Sequence, residues 1–256
     1  SSAASDVYKR QAYYMKAIVD DYMEATGGKE SAVLSSIDIY DGVIKKESHI
    51  TTPESVELQE HLRHAVESGI TFAEMEVSSQ ALKYNRVDNM QFDVGIFLNI
   101  SEDHISPIEH PDFEDYFSSK LKIFGKSRYG VVNMDADFAD RILKESKVCE
   151  KVLTFSTKNP EADVYGYEIQ KDGHETVFMV KTELFDEEYA QWQGVYINGL
   201  KNVDGYFKEN GQNIDFMGSI KDKNINFVGI NLISHYAITY LSLIHISEPT
   251  RHAQIS

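Results

Sequence analysis

The 256-residue sequence predicts an α/β fold: a doubly wound, mostly parallel sheet with an antiparallel β annex in the C-terminal third. Up to residue 155, short apolar runs typical of buried strands alternate with amphipathic helical segments, which indicates right-handed β-α-β crossovers. Beyond about residue 162, strand patterns follow one another directly with Gly and Asn turns between them. We therefore expect a parallel core at 12–155 and a divergent, β-rich annex at 156–228.

The first half of the core begins with an amphipathic helix at 12–25, which Gly27-Gly28 ends. Residues 32–39 read as one strand. The next helix is predicted to run to residue 68, with Thr52 as its N-cap and Pro53 at its first position. The apolar positions of that helix are Val56, Leu58, Leu62, Ala65 and Val66.

The second half continues the alternation. Residues 72–77 form an apolar run typical of a buried strand, and Ser78 or Ser79 can cap the helix that follows. Residues 92–100 are predicted to form the clearest interior strand. The other predicted elements are a helix at 113–124, a strand at 130–133, a helix from 138, a strand at 152–155, a hairpin of 164–170 with 176–181, and short strands within 194–216.

Composition limits the function. Forty-one acidic against 25 basic residues give a formal charge of −16, which argues against a nucleic-acid partner. Cys149 is the single cysteine, so an internal disulfide is impossible and a reducing, cytoplasmic setting is favoured. No apolar run reaches the roughly 20 residues needed to span a bilayer. We expect a monomer that does not bind membranes.

The two ends have a different character. Residues 1–11 (SSAASDVYKRQ) and 241–256 (ending LIHISEPTRHAQIS) resemble translated sequencing-adapter read-through. We expect them to be an artefactual leader and tail, and 12–240 to be the natural portion.

Polar clusters follow three predicted strands at their carboxyl ends, where open α/β sheets bind ligands. They are Glu76, then residues 99–104, then Asn133 with Asp135. Glu76 suits a Mg²⁺ ion that bridges nucleotide phosphates, because that ion prefers hard oxygen ligands. A helix-capping or salt-bridged carboxylate is an equally good interpretation of Glu76.

For three other residues the sequence pattern alone leaves two interpretations open. His104 reads more readily as a structural histidine than as a ligand. Lys120 lies among apolar residues, as a lysine that extends its amine to solvent does. Arg86 could clamp a carboxylate or phosphate, or form a surface ion pair.

Five motifs carry a resemblance that extends over most of residues 12–155. They are TTPES at 51–55, MEVSSQAL at 75–82 with Arg86-Val87 after it, FLNISEDH at 97–104, DYFSSKLKIF at 115–124 and VVNMDAD at 131–137. In this order they resemble the Mur ligase family. The resemblance implies the family's central ATP-binding domain, which is similar to the P-loop NTPases.

The resemblance also implies a reaction. In the family, ATP phosphorylates a carboxylate of a UDP-linked N-acetylmuramyl peptide, and the amine of an incoming amino acid attacks the acyl phosphate. The implied cofactors are ATP and Mg²⁺, and the implied pathway is peptidoglycan precursor synthesis, with UDP-N-acetylmuramyl-dipeptide as the acceptor.

Roles carry over by position. Glu76 and His104 would hold Mg²⁺, together with Lys120 if that lysine is carbamylated, and these three form the catalytic set. Four residues match contacts to the UDP-muramyl substrate: Thr51, Thr52, Ser78 and Arg86. Asn133 would lie near the nucleotide.

One departure from the family is prominent. The G-x-x-G-K-[ST] phosphate loop that relatives carry before the first helix has SSAASDVYKRQ in its place. We therefore expect the parent protein to be a ligase and this polypeptide to be inactive alone. The alternatives are a folylpolyglutamate-type or other amide ligase of the same superfamily, and a non-catalytic module that binds nucleotide or muropeptide.

Overall fold

The structure is a computed structural model that describes residues 12, 15–17, 19–20, 23–24, 27–102, 105–106, 108–172, 175–182, 208–209 and 212–213. It divides into two compact units. The core unit comprises Gly28–Val132 and Ala136–Val152, and the second unit takes in the described residues of 1–27, 133–135 and 153–256. In the described chain no helix is long and apolar enough to cross a membrane.

The core unit begins with a mixed four-stranded sheet. Its strands are β1 (Ala32–Leu34), β2 (Asp38–Tyr40), β3 (Lys45–Glu47) and β4 (Ala73–Met75), in the order β3-β2-β1-β4. β1 pairs in parallel with β4 and antiparallel with β2. The prediction of one strand at 32–39 was wrong because the Ser35 hydroxyl accepts the N–H groups of Ile37 and Asp38 and turns the chain.

A second pair of strands is purely parallel. β5 (Phe92–Phe97) pairs with β6 (Ser127–Asn133), with Val94 opposite Tyr129. β4 and β5 thus belong to separate sheets among the described residues, whereas the sequence interpretation put the two on one sheet edge. β5 also ends three residues earlier than predicted.

The described part of the core unit also contains four helices: α1 (Ser55–Glu67), α2 (Ser79–Lys83), α3 (Phe113–Gly125) and α4 (Ala139–Ser146). α3 has the predicted extent. It begins where the Asp112 carboxylate accepts the backbone N–H of Asp115 at 2.8 Å. Its buried face includes Phe117 and Phe124, which pack with Phe97 of β5 in the main hydrophobic cluster.

The buried face of α1 differs from the prediction. Val56 and Val66 are 84% and 74% exposed, and the buried positions are Leu58, His61 and Ala65. β4 shows a similar reversal: Ala73 is exposed while Glu74 is 8% exposed, because successive strand side chains point to opposite faces. In both elements a polar residue is buried, while an apolar neighbour that was predicted to be buried is exposed.

In the second unit, residues 12, 15–17, 19–20 and 23–24 are helical. β7 (Lys151–Ser156) pairs in parallel with β8 (Val164–Asp172), and β9 (Glu175–Thr182) returns antiparallel to β8 in the predicted hairpin. β10 (Lys208–Glu209) and β11 (Gln212–Asn213) pair antiparallel. Most of the predicted 194–216 strands and both terminal segments lie outside the described residues, so the annex as a whole stays a prediction.

Candidate functional site

Thr52 joins two loops of the core unit. Its side chain is fully buried, and its Oγ1 donates to the Glu76 carbonyl oxygen at 2.9 Å and accepts the Ser78 backbone N–H at 2.9 Å. The loop before α1 is thereby fastened to the β4-α2 connection. The prediction that Thr52 caps α1 was wrong: α1 begins at Ser55 with Glu54 as N-cap, because the threonine hydroxyl is used across the loops instead.

Glu76 also holds backbone in place. It follows β4 directly, and its N–H donates to the Leu34 carbonyl at 3.0 Å. One carboxylate oxygen, Oε2, accepts the N–H of Ser36 at 2.9 Å, in the turn between β1 and β2. This oxygen therefore holds a turn between two strands, which is not the helix cap considered above, and the role of Glu76 as a Mg²⁺ ligand stays a prediction.

Arg86 reaches the same loop from beyond α2. Its guanidinium donates to the Thr52 carbonyl oxygen at 3.3 Å and lies 2.7 Å from a carboxylate oxygen of Glu54. The Arg86 side chain is 14% exposed, whereas that of Glu54 is 65% exposed. Arg86 thus supports the loop through a mostly buried side chain. In the ion pair considered above, only the Glu54 side is exposed at the surface.

Ser78 caps α2 as predicted, since its Oγ accepts the Ala81 N–H at 3.1 Å. The structure therefore brings together Thr52, Glu76, Ser78 and Arg86, with half-buried Thr51 next to Thr52 in the chain. These residues come from two of the five motifs of the sequence.

His110 is a site residue that the sequence analysis did not single out. It is fully buried; its Nδ1 lies 2.6 Å from Oδ2 of Asp115, and its Nε2 lies 2.9 Å from the Ser79 hydroxyl. Lys83 donates to the same Asp115 oxygen at 2.6 Å. Lys83 first, and His110 after it, hold the pKa of Asp115 below its usual range. No local pattern flags His110 because Ser79 is 31 residues away.

Ser79, His110 and Asp115 contact one another in the order of a hydrolase triad, but the serine and the histidine lack the exposure that a catalytic triad needs. Ser79 is 6% exposed and His110 is 0% exposed, so neither is open to a substrate. What the network does is tie α2 to the first turn of α3. The connection that carries Glu76 and Ser78 is thereby positioned relative to the helix that carries Lys120.

Lys120 lies on the partly buried side of α3. Its ammonium is 5.1 Å from the centroid of the Tyr116 ring, a cation-π distance. This contact places the unmodified ammonium over an aromatic ring. The carbamylated form stays a prediction.

Two predicted site residues remain to be placed. His104 lies outside the described residues. Asn133 belongs to the second unit, where it is 4% exposed and its side-chain oxygen accepts the N–H of Asp135 at 2.9 Å. Asp135 in turn accepts from the backbone and hydroxyl of Thr157 at 2.7 Å each. Asn133 therefore shapes the end of β6, and its nucleotide role stays a prediction.

Comparison with known proteins gives a consistent result. The Mur ligase middle domain model matches residues 13–203, more than half of the chain. A UDP-N-acetylmuramyl-tripeptide synthetase of Lactococcus lactis subsp. cremoris (strain MG1363) is 41% identical over 165 residues, which is 63% of this chain and 34% of that protein. A UDP-N-acetylmuramoyl-L-alanyl-D-glutamate–L-lysine ligase of Enterococcus faecalis (strain ATCC 700802 / V583) is 43% identical over 164 residues, 63% of this chain and 31% of that protein.

The fold agrees with these relatives. The solved structure of a UDP-N-acetylmuramoyl-L-alanyl-D-glutamate–2,6-diaminopimelate ligase superposes with a TM-score of 0.58 at 22% identity, over 68% of this chain and 35% of that one. The α/β prediction is confirmed. The chain spans about one third of the length of the curated relatives it matches. It belongs to the Mur ligase family, whose members are ATP-dependent ligases, and residues 13–203 match the middle domain of that family.

Proposed function

We propose that this chain is the middle domain of an ATP-dependent ligase that joins an amino acid to UDP-N-acetylmuramyl-dipeptide in peptidoglycan precursor synthesis. The observation that carries the proposal is the 41% identity, over 165 residues, to a UDP-N-acetylmuramyl-tripeptide synthetase. In the proposed reaction ATP activates the peptide carboxylate as an acyl phosphate, and the amine of the amino acid displaces the phosphate.

The chain's own residues supply positioning. Arg86 and the Thr52 hydroxyl fix the loop that presents Thr51 to the substrate, and Ser78 fixes the start of α2 beside it. A preorganised loop reduces the entropy lost when the substrate binds, which is how a remote contact contributes to rate. Arg86 also brings a positive charge to this loop, and a substrate phosphate would have to displace the exposed Glu54 carboxylate that lies 2.7 Å from the guanidinium.

The donor chemistry fits Mg²⁺ at Glu76. A carboxylate is the ligand type that Mg²⁺ prefers, and the hydrogen bond from Ser36 fixes its orientation. Glu76 would hold the ion, with His104 and a carbamylated Lys120 as the other proposed ligands. When bound, Mg²⁺ neutralises charge on the phosphates of ATP.

The setting follows from composition. A charge of −16 supports a protein without nucleic-acid partners, and the single cysteine, which is buried in the core unit, supports a cytoplasmic setting; we expect a monomer.

The test is ligation by a gene product that contains this sequence together with a G-x-x-G-K-[ST] loop. We expect ATP-dependent addition of an amino acid to UDP-N-acetylmuramyl-dipeptide, with ADP release. The 256-residue chain, which has no such loop motif, is expected to form no product. Activity on a folate substrate and none on the muramyl substrate would overturn the proposal.

Glu76→Ala in that ligase should lower kcat by about two to three orders of magnitude, the range seen when one charge-stabilising group is lost. Glu67→Ala is the matched control, because Glu67 is an exposed carboxylate at the end of α1 that pairs with Arg63. Circular dichroism checks that both variants fold. Full turnover of a folded Glu76→Ala variant would remove Glu76 from the metal site.

A further inference from the structure

Asp41, His61 and His64 form a cluster that is separate from the loop network. One oxygen of Asp41, Oδ2, lies 2.6 Å from His61 Nδ1 and 2.9 Å from His64 Nδ1. The two histidines are three residues apart on α1, so both rings project from one helix face. Asp41 comes directly after β2. The three side chains therefore bring two imidazole nitrogens and one carboxylate oxygen to a common point.

The carboxylate is fixed and ionised. Asp41 is fully buried, and its other oxygen accepts the N–H groups of Val43 and Ile44 at 2.9 and 2.6 Å. An anionic oxygen with a fixed direction is a ready ligand for a cation.

The far nitrogens of both rings face carboxylates. His61 Nε2 lies 3.5 Å from Glu57 Oε1, and His64 Nε2 lies 4.0 Å from Glu60 Oε1. His61 is 2% exposed, and within the described residues its Nε2 has no hydrogen-bond partner of normal geometry. A neutral ring has one N–H, so it can donate to Asp41 or to Glu57 but not to both.

A metal ion on Nδ1 removes this conflict. The ring then binds the ion through Nδ1 and donates its Nε2 proton to the glutamate, which is the usual carboxylate-histidine-metal arrangement. Lys46, whose ammonium donates to Glu57 Oε1 at 2.8 Å, holds this carboxylate in place for that role.

We propose that Asp41, His61 and His64 form a binding site for one divalent transition-metal ion of the Zn²⁺ type. Two imidazoles and one carboxylate suit Zn²⁺ and Co²⁺ and disfavour Mg²⁺, which seldom takes nitrogen ligands. A water molecule would complete the coordination. The ion would join the turn after β2 to α1, the helix that follows the Thr51-Thr52 loop.

Metal binding requires the Asp41 oxygen and the two histidine nitrogens to move apart. Two ligands at about 2.1 Å from a tetrahedral ion are roughly 3.4 Å apart, so Asp41 Oδ2 must move less than 1 Å away from each nitrogen. The His64 side chain is 12% exposed, so an ion and its water can enter from that side.

The test uses the 256-residue chain, freed of metal by dialysis against a chelator. We expect one equivalent of Zn²⁺ to bind in calorimetry and to raise the melting temperature. Co²⁺ should give the intense visible absorption of a tetrahedral site. His64→Gln should weaken Zn²⁺ binding at least about 100-fold, and Glu57→Gln, which removes an outer carboxylate, about tenfold.

His49→Gln is the matched control, because His49 is an exposed histidine of the core unit outside the cluster. It should leave the affinity unchanged. In the unmutated chain, nitrogen NMR should show Zn²⁺ shifting Nδ1 of the two cluster histidines, a readout that does not depend on how the variants fold. Absence of a one-equivalent site, or Zn²⁺ shifts on His49 in place of the cluster, would overturn the proposal and leave Asp41 with hydrogen bonds alone.

Discussion

Replacing Thr52 with valine separates the two roles that a threonine in this loop can have. Valine keeps the shape of the fully buried side chain but removes the hydroxyl. The substitution leaves two backbone groups without their partner: the Glu76 carbonyl and the Ser78 N–H, each now at 2.9 Å from Oγ1. A substrate contact at the surface would cost no stability when replaced, whereas a buried link between two loops would.

The expected cost follows from those two groups. Leaving a buried backbone group without its hydrogen-bond partner costs about 1–3 kcal/mol. Ser78 is half-buried, so water can partly replace the lost partner of its N–H and reduce that cost. We expect Thr52→Val to lower the free energy of unfolding by about 2–4 kcal/mol. With an m-value of about 2 kcal/mol per molar urea, the midpoint should fall by about 1–2 M.

The assay is urea unfolding followed by circular dichroism, with two controls. Thr52→Ser keeps the hydroxyl and should cost only about 1 kcal/mol for the lost methyl group. Thr51→Val, one residue earlier, should stay within about 0.5 kcal/mol of the parent chain, as surface substitutions do. An unfolding midpoint of Thr52→Val equal to that of the parent chain would refute the assignment of Thr52 as a structural link.

Three further predictions concern neighbouring parts of the core unit. The pKa of Asp115 is lowered in the folded protein, so its ion pair stabilises the fold above pH 3.8, and this stabilisation is lost as the pH falls through the folded-state pKa. Asp115→Asn should therefore flatten the acid limb of the stability-pH curve measured by urea unfolding. Gly42→Ala should destabilise by about 1–3 kcal/mol in thermal unfolding, because φ is +87° and the new Cβ would lie 2.6 Å from Ser68 Cβ, whereas Gly125→Ala, with open space around it, should be nearly neutral. In the parent ligase, Lys120→Ala should lose turnover and regain part of it with added short carboxylic acids; full activity without them would exclude a carbamylated lysine.

The elements that sequence predicted well are those whose signals are local. α3 was predicted at 113–124 and lies at Phe113–Gly125, since its apolar period and the position of its capping residue are both contained in the segment. α1 was placed less well because its start depends on Thr52, whose hydroxyl is taken by a carbonyl 24 residues away. His61 went unnoticed for the same reason: its partner Asp41 is 20 residues away, and an unpaired histidine would not be expected in a core.

The candidate site shows the same division. Motifs identified Thr52, Glu76, Ser78 and Arg86, and the structure places them in one network. A motif gives the identity of a residue but not the direction of its polar atoms. It therefore could not show that Ser78 and Arg86 both donate hydrogen bonds to Thr52. The network through His110 was missed because none of its residues falls at a spacing that indicates contact.

These contacts distinguish the two adjacent threonines. The Thr52 hydroxyl donates and accepts within the protein, so it has no donor left for a ligand. Thr51 is half-buried, and its hydroxyl makes no hydrogen bond within the described part of the chain. Because Arg86 and Thr52 hold the backbone of this loop, the Thr51 hydroxyl is presented from a fixed position. If either threonine contacts the UDP-muramyl substrate through its hydroxyl, it is Thr51, and Thr51→Val in the parent ligase should raise KM for that substrate while leaving the urea midpoint unchanged.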